Sequence, residues 1–566
     1  MTKITKKDKN GNKDFRIFVL LKKYMKSMTN FDVIIVGGGI TGAGTARDCS
    51  MRGLKVLLIE RDDIATGATG RNHGLLHSGA RYAVKDSESA GECIRENKIL
   101  RKIASNCVED TGGLFITLPE DEDSGYGLDY QKKFIEACLA SGIDAEAIDP
   151  REAVLMEPSV NRSLIGAVKV PDGAVDPFRL CSANVLDARL HGAQVLSYTE
   201  VVDLIKDKEN TIVGVKTRNS KTGETGEHYA PVTVNAAGIW GQKLVELTGA
   251  RVGMYPAKGA LLVFGHRVNN VVINRCRKSA DGDILVPGDT VCVIGTTSTK
   301  VPFEECDNMK VTREEVELLL REGCALAPSL ATTRILRAYA GVRPLVASDD
   351  DPTGRNISRG IICLDHEKRD GIKGFISITG GKLMTYRLMA EIATDAVCAK
   401  LALDRKCETA EKALPGSEKL SSESIKCWNG AGIGQKASGG RQGTRSKLID
   451  FSSEEDRELI CECEHVSMGE IKYAVKELNV RNLEDLRRRA RVGMGTCQGS
   501  FCIRKASLAL AKALGAPEKE EALRREFLDE RWKGMIPVAW GDTLREMEFM
   551  QKVYKAGEPA SFKEAE

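Results

Sequence analysis

Phe31-Asp32-Val33-Ile34-Ile35-Val36-Gly37-Gly38-Gly39-Ile40-Thr41-Gly42 decides the fold class. Four consecutive β-branched apolar residues before the first glycine predict a strand buried on both faces, the mark of a parallel sheet. The strand runs straight into G-x-G-x-x-G at Gly37, Gly39 and Gly42. Those glycines let backbone approach a pyrophosphate at a helix N-terminus. Ala43 to Arg52 carries small residues on the side that would face a sheet, and Gly53 is placed to stop that helix. Lys55-Val56-Leu57-Leu58-Ile59 predicts the second strand. Glu60 follows it, about twenty residues beyond the glycines, where an acid accepts from ribose hydroxyls. A lone glycine motif is more often plain turn chemistry. Strand, helix and acid in register predict dinucleotide binding in a Rossmann-like α/β domain.

The next segments favour FAD over NAD. Ile64 to Gly74, which includes Thr66, Thr69, Arg71, Asn72 and Gly74, is too rich in Gly, Thr and Asn for a core helix. It suits backbone wrapped along an extended cofactor. Val232 to Asn235 predicts another strand ending in small residues, Ala237 and Gly238, and Ile376 to Thr379 a further one ending in Gly380 and Gly381. Strand ends returning from distant sequence would frame one long ligand. The competing reading is that they are ordinary strand-to-loop turns.

Composition bounds the rest. At 566 residues the chain predicts several domains, because single cores stop growing at roughly 250 to 300 residues. Apolar residues make up 42% and charged residues 29%, a soluble globular balance. Met1 to Asn30 holds nine Lys or Arg against Asp8 and Asp14, so a net charge of +3 leaves about −4 on the remainder. That balance does not favour nucleic acid. Seventeen cysteines without a signal peptide predict mostly buried, reduced thiols and a cytosolic protein. No apolar run approaches the roughly 20 residues that span a bilayer. Residues 1–30 form a basic extension, expected to be a disordered or over-called start, with membrane-surface contact as the alternative.

Cys461-Glu462-Cys463 and, about thirty residues later, Cys497-Gln498-Gly499-Ser500-Phe501-Cys502 predict a four-thiolate centre. Ser467 to Val475 and the stretch from Asn482 predict capped helices able to bring the two loops together. Four thiolates suit zinc or [2Fe-2S] alike. Zinc knuckles usually have C-x₂₋₄-C spacing, whereas C-x-C, a helical insert and Gly-Met-Gly-Thr-Cys resemble the [2Fe-2S] domain of bacterioferritin-associated ferredoxin. The last pair is C-x₄-C, longer than the C-x₂-C of that protein.

Further motifs carry a wider resemblance: GRNHGLLHSGARYA at Gly70 to Ala83, VKVPDGAVDPFRL at Val168 to Leu180, VNAAGIWGQ at Val234 to Gln242, AGVRPL at Ala340 to Leu345, and TGGKLMTYRLMAE at Thr379 to Glu391. With ILVPGDT and IGTTS between Ile284 and Ser298, they span most of Phe31 to Lys400. The chain resembles the flavin-containing glycerol-3-phosphate dehydrogenases of the D-amino-acid-oxidase-type superfamily, and among them the catalytic subunits of the anaerobic, multi-subunit enzymes. The resemblance implies a Rossmann-like FAD domain with a mixed-sheet substrate lobe, joined to a small helical [2Fe-2S] domain. It implies oxidation of sn-glycerol 3-phosphate to dihydroxyacetone phosphate, hydride passing to FAD and electrons leaving singly. It also implies two partners that relay electrons to a quinone such as menaquinone: a second flavin-containing B subunit, then a membrane-associated iron-sulfur C subunit. They would hold the chain peripherally at the inner face of the membrane.

By the same resemblance Arg81, Tyr82, Arg343 and Lys382 line the substrate pocket beside the isoalloxazine ring. Guanidinium forks match phosphate oxygens, and a cation steadies the reduced flavin. Taken singly, an Arg in such loops is more often a structural ion pair. The carbinol proton needs a base, for which His77 is the first candidate, although a loop His often only hydrogen-bonds the cofactor. Asp283 and Asp289 fit strand or turn caps better than a base.

The expected organisation is a flavin domain with substrate lobe at 31–405, a linker at 406–450, a [2Fe-2S] domain at 451–515 and a tail at 516–566. One rival is an FAD/[2Fe-2S] dehydrogenase of an amino or imino acid. The other is a redox scaffold with structural zinc.

Overall fold

The computed structural model describes residues 30–346, 360–418 and 432–556. The basic extension, apart from Asn30, lies outside them. Six strands form the first sheet in the order Ile361–Asp365, Phe375–Gly380, Val232–Asn235, Val33–Val36, Val56–Ile59 and Gln194–Leu196. All pairs are parallel except the first. Val33–Val36 is buried throughout, as its β-branched run predicts. Val36 pairs with Ile59 on one side and Asn235 on the other, so Gly37 leaves the sheet between two strand ends. This is the crevice outside the carboxyl edge where α/β sheets hold ligands.

Helices Ile40–Met51, Pro177–Leu190 and Tyr386–Lys400 pack side by side on this sheet. Gly53, at φ +74, ends the first of them as expected.

The second lobe is a nine-stranded mixed sheet. Its spine is the long antiparallel pair Met254–Phe264 and Ile335–Val346, and Val272–Arg275 runs parallel to Gly113–Thr117. Helix Arg313–Leu326 covers one face through Val316, Leu319 and Leu326. The spine reaches back to the first sheet and carries Gly341 and Arg343 to the crevice.

The cysteine module is helical. Met468–Leu478, Leu483–Ala490 and Ile503–Ala513 enclose Ile471, Leu486 and Leu510. The expected caps are present: Ser467 Oγ accepts from the Glu470 amide at 3.3 Å and Asn482 Oδ1 from the Asp485 amide at 2.8 Å.

The stretch expected to be a linker departs from that reading. Residues 419–431 lie outside the described residues, but Ile433–Gln442 is a helix. Its Arg441 is buried, donates to Glu470 Oε1 at 2.9 Å and to the carbonyl of Glu464 at 2.7 Å, and so clamps the first cysteine loop. Glycine and serine content suggested flexibility. Buried charge pairing overrides that local preference.

The tail helix Glu520–Met535 joins the modules. Phe527 packs in the cysteine module's core, while Trp532 and Met535 pack against the substrate lobe.

Candidate active site and thiolate centre

A single cavity of about 1570 Å³ begins at Gly37 and ends among the basic residues of the substrate lobe. It exceeds the roughly 300 to 1,000 Å³ of sites for drug-sized ligands, so a dinucleotide and a small substrate fit together.

At the nucleotide end Gly37 holds φ +111, and a Cβ there would lie 2.5 Å from the carbonyl oxygen of Ala236. A Cβ on Gly42 would lie 1.9 Å from the Gly37 oxygen. Only glycine permits this close turn. The first-turn amides of Ile40–Met51 therefore face the cavity beside Gly39. Glu60 Oε2 accepts from the Gly38 amide at 2.6 Å and Oε1 from the Asp62 amide at 3.0 Å. Burial pushes its carboxyl above the usual range despite both bonds.

The 64–74 loop lines the cavity. Thr66, Thr69, Arg71 and Asn72 line it. Thr69 Oγ1 accepts from the Ile40 amide at 2.9 Å, and Asn72 Nδ2 donates to the carbonyl of Thr69 at 2.6 Å. Ala237, Gly238, Gly380 and Gly381 close the wall from the other strand ends. Gly42 and Gly74 stand behind it, supporting Gly37 and the Val175 backbone.

At the other end His77, Arg81, Tyr82, Arg343 and Lys382 come together, although they are spread over some three hundred residues. Lys382 Nζ sits 4.8 Å from the Tyr82 ring centroid, and His77 stacks on the same ring at 5.0 Å. Arg343 donates to the Thr297 carbonyl at 3.0 Å and to Ser298 Oγ at 3.3 Å, and also holds Thr296 Oγ1. Arg81 pairs with Asp283, and its Nη1 is buried with no hydrogen-bond partner among the described residues. Burial pushes the Asp283 carboxyl up, but Arg81 and Arg277 outweigh it and hold the group below the usual carboxylate range.

The Gly79 amide donates to His77 Nδ1 at 3.0 Å, which places the neutral ring's proton on Nε2. Asp172 Oδ1 lies 3.9 Å from the same Nδ1. Sequence reading missed Arg277, Lys278 and two tyrosines, Tyr126 and Tyr130, which also line this end. The run Arg275-Cys276-Arg277-Lys278 was the available signal. With Arg81, Lys85, Arg343 and Lys382 it makes the wall strongly cationic, suited to a dianion.

In the other module the four expected thiols meet. Cys461 Sγ is 3.9 Å from Cys463 Sγ, which is 3.6 Å from Cys497 Sγ. Cys502 closes the ring against Cys461 and Cys497. Hydrogen bonds from Cys463 and Cys502 hold the Cys461 and Cys497 thiols down, while the two donors are pushed up. Four thiolates this close repel unless cations sit among them, so the donor set fits a metal centre. The backbone fits as well. The Gly493 and Glu464 amides point at Cys461, those of Phe501 and Gly499 point at Cys497, and a Cβ on Gly495 would lie 2.6 Å from Cys463 Sγ.

The two sites are locked together. Glu464, beside Cys463, accepts from Arg491 at 2.8 Å and from Thr290 Oγ1 of the substrate lobe at 2.5 Å. Arg491 also pairs with Asp289 at 2.8 Å. Asp289 is thus a docking residue, paired with Arg491 and Arg179, rather than the strand or turn cap expected of it.

The FAD dependent oxidoreductase family matches residues 32–387, and the BFD-like [2Fe-2S] binding domain family matches residues 459–512. The A subunit of the anaerobic glycerol-3-phosphate dehydrogenase of Escherichia coli is 59% identical over 527 residues, 93% of this chain and 96% of that one. Its namesake from Haemophilus influenzae is 57% identical over 530 residues, 93% of each chain. The fold is similar to that of a glycerol-3-phosphate dehydrogenase from Bacillus halodurans solved with FAD, with a TM-score of 0.69 at 22% identity, over 92% of this chain and 99% of that one. The chain belongs to the FAD-dependent oxidoreductases and, within them, to the family of anaerobic glycerol-3-phosphate dehydrogenase A subunits.

Proposed function

We propose that this chain oxidises sn-glycerol 3-phosphate to dihydroxyacetone phosphate. The observation that carries this reading is the cationic wall of Arg81, Arg277, Lys278, Arg343 and Lys382 at the far end of a cavity that starts at a dinucleotide fingerprint. An amino or imino acid would need one cation for its carboxylate and an apolar pocket for the rest, and this wall offers the opposite.

FAD, when bound, supplies a two-electron hydride acceptor. The residues of the chain do the rest. Gly37, Gly39 and the first turn of Ile40–Met51 hold the pyrophosphate, and Glu60 takes the ribose hydroxyls. Arg343 and Arg81 hold the substrate phosphate, while Lys382 places positive charge beside Tyr82. His77 is the base for the carbinol proton, its ring held through Nδ1 by the Gly79 amide with Asp172 Oδ1 3.9 Å from the same atom. Cys461, Cys463, Cys497 and Cys502 would hold the [2Fe-2S] cluster, which would supply one-electron chemistry.

Cys463 and Cys497 are only partly buried, which leaves the cluster an edge for electron hand-off. Two partners, a flavin-containing B subunit followed by a membrane-associated iron-sulfur C subunit, would take those electrons to a quinone. They would hold the chain at the inner face of the cell membrane. No helix among the described residues is long and apolar enough to cross it.

The test is an anaerobic visible spectrum before and after glycerol 3-phosphate, with proline as comparison. Flavin bleaching near roughly 450 nm with glycerol 3-phosphate alone is expected. Bleaching with proline instead, or no flavin band in folded protein, would overturn the reading.

A further inference from the structure

Ile335–Val346 has Arg343, Gly341, Tyr339 and Arg337 at alternate positions, so all four share one face of the strand. Arg343 and Gly341 line the substrate end of the cavity. The Tyr339 hydroxyl donates at 2.8 Å to the carbonyl of Asn72 in the cavity-lining loop. Arg337, next along, has a buried Nε without a hydrogen-bond partner among the described residues.

Arg487 of the cysteine module is near enough to this face to act electrostatically on Arg337 and Tyr339. It lies in the last turn of Leu483–Ala490, and its Nη2 donates at 3.3 Å to Gln498 Oε1. Gln498 follows Cys497 directly. The Arg487 guanidinium lies 5.9 Å from the centre of the Phe527 ring, its Nη1 has no hydrogen-bond partner, and no carboxylate forms an ion pair with it among the described residues. Tyr339 sits in the field of both guanidinium groups. Burial, with Arg337 beside it, pulls Arg487 down to about 9, which leaves it charged at neutral pH.

A buried cation without a counter-ion is costly and is usually matched by negative charge elsewhere. Asp63 answers Arg488 and Arg489 in this way. Among the described residues nothing equivalent answers Arg487. Glu484 and Glu530 act on it only through space, and its hydrogen bond to Gln498 Oε1 leads to the residue next to Cys497. A [2Fe-2S] cluster held there would become one unit more negative on taking up one electron.

We propose that Arg487 is a positioning residue that raises the reduction potential of the cluster through its contact with Gln498, next to Cys497. The inference rests on the [2Fe-2S] reading of the four cysteines. Its sign follows from Coulomb's law: a fixed positive charge behind Cys497 favours the state with the extra electron.

The test is an EPR-monitored redox titration of the purified full chain and three variants, with melting temperature measured alongside. Arg487→Gln is expected to shift the cluster midpoint to a more negative potential, and Arg487→Lys to restore most of the wild-type value. Glu484→Gln removes a carboxylate that acts on Arg487 only at longer range, and its Oε1 has no hydrogen-bond partner among the described residues. It is expected to shift the midpoint positive. A midpoint unchanged in Arg487→Gln, whatever its melting temperature, would overturn the inference, as would equal shifts for Lys and Gln. If Arg487→Gln fails to hold a cluster, an unmoved Glu484→Gln midpoint overturns it equally. Absence of a [2Fe-2S] signal in the reduced wild type would instead sink the cluster reading, and this inference with it.

Discussion

Asp63 and Arg489 form a two-pronged ion pair across 426 residues, Oδ1 to Nη2 at 2.6 Å and Oδ2 to Nη1 at 3.0 Å, with both side chains 3% exposed. Asp63 stands three residues after Glu60, and Arg489 lies in the helix that precedes the Cys497 loop. Arg488 adds a third contact at 2.9 Å. The pair fastens the nucleotide end of one module to the thiolate module.

Asp63→Asn leaves the buried Arg489 guanidinium without its ion-pair partner, while the partly exposed Arg488 keeps Asp485 at 3.7 Å. Breaking one side of a buried pair costs about 3 to 5 kcal/mol. Urea unfolding of the variant is expected to show that loss, with the cysteine module coming free before the flavin module. A change below about 1 kcal/mol would show that the pair carries no docking energy.

Acid should undo the same contacts. Burial pushes Asp63, Asp283 and Asp289 up, but their arginines outweigh it and hold all three below the usual carboxylate range. A depressed folded pKa contributes stability above the unfolded value and loses it as pH falls through the folded one. The melting temperature is expected to be flat down to about pH 5 and to fall steeply below about pH 4. In Asp63→Asn part of that slope disappears.

Two glycine substitutions should strip different chromophores. Gly37→Ala drives a Cβ into the Ala236 carbonyl at a φ of +111 and is expected to remove flavin absorbance while iron content stays. Gly495→Ala drives a Cβ against Cys463 Sγ and is expected to do the reverse. Loss of both chromophores from either variant would mean that the modules fold as one cooperative unit.

Kinetics should separate the anion site from the proton site. Arg343→Gln removes charge-assisted bonds worth about 2 kcal/mol, so kcat/KM should fall about thirty-fold, mostly through KM. His77→Asn is expected to lower kcat by about a hundred-fold or more and to flatten the acid limb of its pH profile. An unchanged profile would assign His77 to holding the loop through Gly79 alone.

The linker shows where sequence reading failed. Gly439-Gly440-Arg441-Gln442-Gly443 looks flexible by composition, because glycine weakens helix locally. Its helix exists because Arg441 finds Glu470 and the Glu464 carbonyl, partners about 25 residues away that composition does not announce. Arg277 was missed for a related reason. A basic residue in a loop reads as surface until the sheet turns it inward, here beside Asp283 and Arg81.

The sequence alone determined the features with short-range causes: the buried β-branched strand before Gly37, the acid at Glu60, the helix caps at Ser467 and Asn482, and the cysteine spacing. Each depends on residues a few positions apart, where backbone sterics and local hydrogen bonds decide the outcome. Only the tertiary structure decided that Arg81 is half committed to Asp283, that His77 receives the Gly79 amide, and that Arg487 forms no ion pair with a carboxylate among the described residues. Those properties depend on burial and on charges brought together from distant sequence. A charge's effect inside a protein is set by its neighbours and its loss of water, and neither is fixed until the chain has folded.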